Sequence, residues 1–155
     1  MDQKQEFSVP PVLLSQIGVL YRTVRKNGGS LFRKQDFPLD LDQIPVLLVI
    51  YYTNGACQQA MGASLQRDNA SINRTVAFLV KNGYATVETD QENKRKTIVR
   101  PTTEGTKLAR QANQIISQYN ISLSSTLSPE EQKQLHILIN KLLEAQGSTP
   151  LPFSF

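Results

Sequence analysis

The sequence has no tryptophan, one cysteine and one histidine in 155 residues. The missing tryptophan excludes nothing. A single cysteine, Cys57, rules out a disulfide within the chain and fits a reducing cytoplasm. One cysteine and one histidine, His136, do not make a metal site, and a structural or exposed histidine is the simpler reading. Long apolar runs are also missing: the longest, about Ile44 to Tyr52, is far short of the ~20 residues that span a bilayer. Residues 1–7 hold no apolar run after a cationic start, so no secretory signal is expected. The expectation is a soluble, cytoplasmic protein without a membrane partner. No nucleophile sits beside a plausible base, and there is no glycine-rich phosphate loop or carboxylate pair in a recognisable context. Neither an enzyme nor a cofactor is expected.

Acids are absent between Phe7 and Gln35, a stretch that carries Arg22, Arg25, Lys26, Arg33 and Lys34. These cations form either a solvated basic face or the lining of an anion pocket or phosphate contact. Over the whole chain the imbalance is mild, with net charge +4 and a sequence pI near 9.3. That is compatible with nucleic acid but not diagnostic. The length suits one domain, residues 1–155, with a core of ordinary size.

What is present falls into a helix, a helix–turn–helix, a hairpin and two more helices. From Pro10, Leu13, Ile17, Leu20 and Val24 recur at helical steps, and Gly28-Gly29-Ser30 is expected to end or weaken that helix. Asp40-Leu41-Asp42-Gln43 predicts a second helix opened by a capping box, with Asp40 as cap and Gln43 reaching back. Leu47, Leu48 and Tyr51 supply its buried side, and Pro45 predicts a distortion. Asn54-Gly55 is the exit turn.

Residues 57–66 and 68–82 then read as two helices, with Cys57 at the cap of the first. A helix N-terminus can lower a thiol pKa, which invites a redox-sensing role; an ordinary cysteine without such a role is the simpler reading. In the second helix Ile72, Val76, Leu79 and Val80 form the inward stripe. Ala70, Ser71, Arg74, Ala77, Phe78 and Lys81 are then expected to face outward, with Asn73 on the flank. Short polar groups and an arginine at the first turns suit base edges in a major groove. Gly83 stops this helix, strands follow at 84–88 and 97–100, and the tip between them carries Lys94, Arg95 and Lys96. This order is a winged helix-turn-helix within a mostly α, α/β fold.

Thr102 predicts the cap of a long helix from Thr103 to about Leu127, striped by Leu108, Ala112, Ile115, Tyr119 and Leu123. Ser128-Pro129-Glu130-Glu131 starts the last helix, which carries Leu135, Leu138, Ile139 and Leu142 and ends near Gly147. The tail, 148–155, cannot be helical. The winged lobe needs only about residues 36–102, so the helices at 10–34 and 103–147 carry surplus apolar stripes. A second copy of the chain is the simplest cover for them.

Several strings in this order resemble the MarR family of bacterial transcription regulators: Leu39-Asp40-Leu41-Asp42-Gln43 with Val46-Leu47, Gln58 with Met61 and Leu65, and Asp68 with Ser71-Ile72-Asn73-Arg74 and Val76. Leu79 to Gly83 and Thr102 to Gly105 complete the set, and the resemblance covers roughly Pro10 to Gly147. It implies a winged-helix homodimer, held by the terminal helices, on a palindromic operator in double-stranded DNA. Members usually repress transcription and release DNA when a small phenolic or anionic effector binds. Carried over by position, Ser71, Asn73 and Arg74 are DNA-contacting residues of the recognition helix. Asn93-Lys94-Arg95 falls on an Asp-Arg-Arg wing motif, with Arg95 as the minor-groove residue. Asn93 departs from that motif, as do Ala70, Ala77, Phe78 and Val87 from common polar or basic residues and Arg67 from an apolar one. Tyr21, Arg25 and Tyr51 are the candidate effector residues, with core packing as the simpler reading for the tyrosines. A different class, a protein-interaction module, would use Phe78 with Ala70 and Ala77 as an apolar contact.

Overall fold

A computed structural model describes residues 12–89 and 96–149. Its elements are α1 (Leu13–Lys34), α2 (Ile44–Tyr52), α3 (Gln58–Leu65), α4 (Asn69–Lys81), β1 (Ala85–Thr89), β2 (Thr97–Pro101), α5 (Thr103–Ser124) and α6 (Pro129–Ala145). The order is the one the sequence implies. Contacts group the chain into two compact units, residues 1–115 and 116–155.

The first unit holds α1 to β2 and the first half of α5. Its centre is built by apolar residues at the expected periods: Val46, Leu47 and Ile50 of α2, Met61 of α3, Ile72 and Leu79 of α4, and Val99 of β2 are fully buried. Leu108, Ala109, Ala112 and Ile115 of α5 join the same cluster. The two strands pair antiparallel, with Val87 opposite Val99 and Thr89 opposite Thr97. A third piece of extended chain was not legible: Ala56 and Val99 exchange both main-chain hydrogen bonds, at 3.0 and 2.9 Å. That bridge ties the α2–α3 connection to the hairpin.

Three local expectations fail, the first two for identifiable reasons. Helix α1 does not weaken at Gly28-Gly29 but runs on to Lys34. Gly29 is buried, and a side chain there would meet Leu41 Cδ1 at 3.1 Å, so the glycine makes room for a neighbour. Pro45 causes no distortion because α2 begins at Ile44, which puts the proline in the first turn, where an N–H has no partner to lose. Residues 41–43 form a turn ahead of the helix. The Gln43 arm of the expected box is present, Oε1 accepting from the Asp40 N–H at 3.0 Å. Lastly, α5 stops at Ser124 rather than near Leu127.

The second unit holds the rest of α5 and α6. Helix α6 opens with a complete capping box: Ser128 Oγ accepts from the Glu131 N–H at 3.2 Å, and the Glu131 carboxylate accepts from the Ser128 N–H at 2.8 Å. No α6 residue is buried, and Leu135, Leu138, Ile139 and Leu142 are all exposed. In the first unit the α1 stripe is likewise open, with Leu13, Ile17 and Leu20 each about half exposed.

Candidate nucleic-acid interface

Helix α4 is positioned from both ends. Asp68 caps it, its carboxylate accepting from the Ser71 N–H at 2.8 Å. At the other end Gly83 takes a φ of +74°, and the Tyr84 N–H returns to the Leu79 carbonyl at 2.8 Å. Thr102 closes the corner: its hydroxyl donates to the Gly83 carbonyl at 2.7 Å and accepts from the Gly105 N–H at 3.0 Å.

Ile72, Thr75, Val76 and Leu79 face inward. At 100° per residue the opposite face is Ala70, Arg74, Ala77 and Lys81, with Asn73 on one shoulder, and all five are exposed. Ser71 and Phe78 share the other shoulder and are half-buried. Two expectations therefore need correcting. Phe78 packs against the core cluster instead of facing solvent, and Val80, assigned to the inward stripe, is exposed beside Asn73. Both lie at the edge of the buried arc, where helical period alone cannot assign a side.

Ser71 is more constrained than the sequence suggests. Arg67, in the turn between α3 and α4, donates through Nη2 to Ser71 Oγ at 2.5 Å and through Nη1 to the Asp42 carbonyl. Its guanidinium thus joins the N-terminal approach of α2 to the first turn of α4. This tie depends on residues distant in sequence, and only the oddity of an arginine in that turn signalled it.

On the hairpin, Lys96 is exposed just before β2. Lys94 and Arg95 lie outside the described residues. Arg100 pairs with Glu88 at 3.2 Å and donates to the Asn54 carbonyl, tying the hairpin to the α2–α3 turn.

Of the three candidate effector residues, Tyr21 and Arg25 lie beside each other. Tyr21 is exposed, while Tyr51 is half-buried and meets Tyr52 edge-on with centroids 5.2 Å apart. Arg25 also lines a cleft of about 520 Å³ with Arg22, Lys26, Arg33, Asp40, Leu41 and Asp42. Its Nη2 lies 2.9 Å from both carboxylate oxygens of Asp42, and that hydrogen-bonded pairing raises the Arg25 pKa further. Cys57 caps α3 without a side-chain hydrogen bond and is half-buried. Among the described residues no three His, Cys, Asp or Glu side chains gather as a metal site, and no helix is long and apolar enough to cross a membrane.

Two short helices meeting at a fixed turn, the second with an open polar face beside a hairpin, define a winged helix-turn-helix protein. The structure of S. aureus MepR bound to DNA matches 86% of this chain and 98% of its own, with TM-score 0.77 and 20% identity. A MarR transcriptional regulator from Methanosarcina mazei Go1 matches 86% of this chain and 95% of its own, with TM-score 0.75 and 22% identity. The chain therefore has the MarR fold. In sequence it is 25% identical over 132 residues to the HTH-type transcriptional regulator BilQ of Clostridium symbiosum, spanning 83% of this chain and 92% of that protein. No family model matches the chain.

Proposed function

We propose that this protein is a sequence-specific DNA-binding regulator of transcription that reads an operator with α4. The observation that carries this reading is the open face of α4. Arg74 and Asn73 are exposed at its early turns, Lys81 stands at its end, and Ala70 and Ala77 flank Arg74 on the same face. Small side chains let a helix sink into a groove, and the polar pair supplies donors to base edges. A similarly folded protein, S. aureus MepR, is found in complex with DNA, which supports a DNA partner for this chain. Lys94, Arg95 and Lys96 at the hairpin supply the flanking contact to backbone and minor groove.

The protein acts as a homodimer on a palindromic site, with the open stripes of α1 and α6 as the contact surfaces. It is a repressor that a small phenolic or anionic effector releases, with Tyr21, Arg25 and Tyr51 as the first residues to test. The competing interaction-module reading loses its main support because Phe78 packs inward.

Binding to random duplex DNA, titrated with salt, tests the reading. Neutralising about six phosphates gives a slope of log K against log salt near −5. A slope near zero rejects DNA binding. Selection from a random pool then returns a palindromic sequence.

A further inference from the structure

We propose that Arg67 is a positioning residue for DNA docking: it fixes the Ser71 hydroxyl as a one-way donor to a phosphate oxygen at the groove wall, and that contact sets how α4 sits in the groove. The proposal deepens the DNA-binding role argued above and rests on it.

Ser71 is held on all sides. Its N–H donates to the Asp68 carboxylate at 2.8 Å, and its carbonyl accepts from the Thr75 hydroxyl at 3.1 Å. Its Oγ accepts from Arg67 Nη2 at 2.5 Å. A serine hydroxyl ordinarily gives and takes hydrogen bonds alike. With a guanidinium on the oxygen, any further N–H donor would approach a full positive charge. What Ser71 has to offer is its proton, and the charged donor on the oxygen polarises the O–H bond that carries it.

Arg67 can hold this geometry because it is anchored at three points. Its N–H donates to the Gly62 carbonyl at 2.9 Å, and a Cβ on Gly62 would meet the Arg67 carbonyl at 3.0 Å. Its Nη1 donates to the Asp42 carbonyl. That carbonyl lies in a turn closed by the Gln43 N–H on the Asp40 carbonyl at 2.9 Å and by Gln43 Oε1 on the Asp40 N–H. A planar guanidinium fork can reach two fixed acceptors at once, which an ammonium does not match. The side chain is half-buried, so its charge is spent inside the protein.

Position decides which acceptor Ser71 meets. It lies in the first turn of α4, roughly a quarter turn around the helix from the middle of the face made by Ala70, Arg74, Ala77 and Lys81. The middle of that face meets base edges on the groove floor, and a shoulder meets the wall, which is phosphate. Phosphate oxygens only accept, which matches a group that only donates, whereas base edges present donors as well. A phosphate contact carries no sequence information but fixes orientation and register. Arg74 and Asn73 then meet the bases from a set position.

The test uses the full chain and the duplex selected from a random pool. Ser71→Ala should weaken binding about fivefold, by one common factor on every single-base variant of that duplex. Its salt slope should match the wild type, because a neutral hydroxyl releases no counterion. Arg67→Met should also weaken binding without changing the slope, and the double variant should lose no more than Ser71→Ala alone. A loss below about twofold for Ser71→Ala overturns the contact. A loss confined to one base position makes Ser71 a base reader and overturns the phosphate assignment. Additive losses in the double variant overturn the action of Arg67 through Ser71. A slope flattened by about one unit in Arg67→Met makes Arg67 itself the phosphate contact and overturns the proposal. If Arg67→Met does not fold, Arg67→Lys, which keeps the charge and loses the fork, must show the same loss. A wild-type chain that binds no DNA overturns this proposal together with the DNA-binding role; a wild-type chain that binds while Ser71→Ala is indifferent overturns this proposal alone.

Discussion

The main-chain carbonyl of Tyr84 occupies the space that a side chain at position 105 would need. A Cβ built on Gly105 overlaps that oxygen. The same carbonyl accepts from the Thr102 N–H at 3.1 Å, so it cannot swing away without losing a hydrogen bond. This contact fixes the start of α5 against the connection that carries α4 into the hairpin.

Gly105→Ala sets two effects against each other. Alanine favours a helix by about 1 kcal/mol over glycine. Overpacking against a fixed backbone costs about 1–3 kcal/mol, and here the obstructing atom is a bonded carbonyl. Sterics should win, with a net loss of stability in urea denaturation. A stabilised Gly105→Ala would mean that α5 can slide away from Tyr84.

Asp68→Ala removes the α4 cap and should cost about 1 kcal/mol, within the range of ~0.5–2 for such caps. Asp68→Ser should restore most of it, because a hydroxyl can also accept from the Ser71 N–H. Equal stability of the alanine and wild-type chains would show that the cap does not hold the helix start.

Truncation after Leu127 removes α6, whose Leu135, Leu138, Ile139 and Leu142 are exposed in the single chain. Sedimentation of the truncated chain should give monomer or aggregate in place of dimer. A clean, folded dimer would remove α6 from the proposed interface.

Arg95→Ala should weaken DNA binding and flatten the salt slope by about one unit. Asn93→Asp should leave affinity equal or better, since a carboxylate orients a neighbouring guanidinium by a charge-assisted bond. A drop of more than about tenfold on Asn93→Asp would count against that orienting role.

What the sequence makes legible here is local. Ser128-Pro129-Glu130-Glu131 announces α6 because every partner in its capping box lies within four residues. Ile72, Val76 and Leu79 mark the inward face of α4 because they recur with the helical period. What it hides depends on partners far along the chain. Gly29 reads as a helix breaker until Leu41 lies on it, and Arg67 reads as a departure until Asp42 and Ser71 take its two nitrogens. The Ala56–Val99 bridge and the inward turn of Phe78 are of the same kind. Pro45 was visible, and its effect followed only from where α2 begins.

Sequence reading by α4 makes the sharpest prediction. Arg74 stands in the middle of the open face, and Ser71 is already engaged by Arg67. Arginine can grip guanine through two hydrogen bonds, a pairing that discriminates by ~1–3 kcal/mol. Arg74→Ala should therefore relax preference at one symmetric position in each half-site. Lys81 lies about two turns further along the same face, at the end of the helix, and should reach at most a phosphate. Lys81→Ala should weaken all sequences about equally. Each variant is measured on a panel of single-base operator changes. If Arg74→Ala lowers every affinity by one common factor, Arg74 is a backbone contact and base reading passes to Asn73, the other exposed polar group at that end. If neither variant changes DNA binding, α4 is not the reading helix.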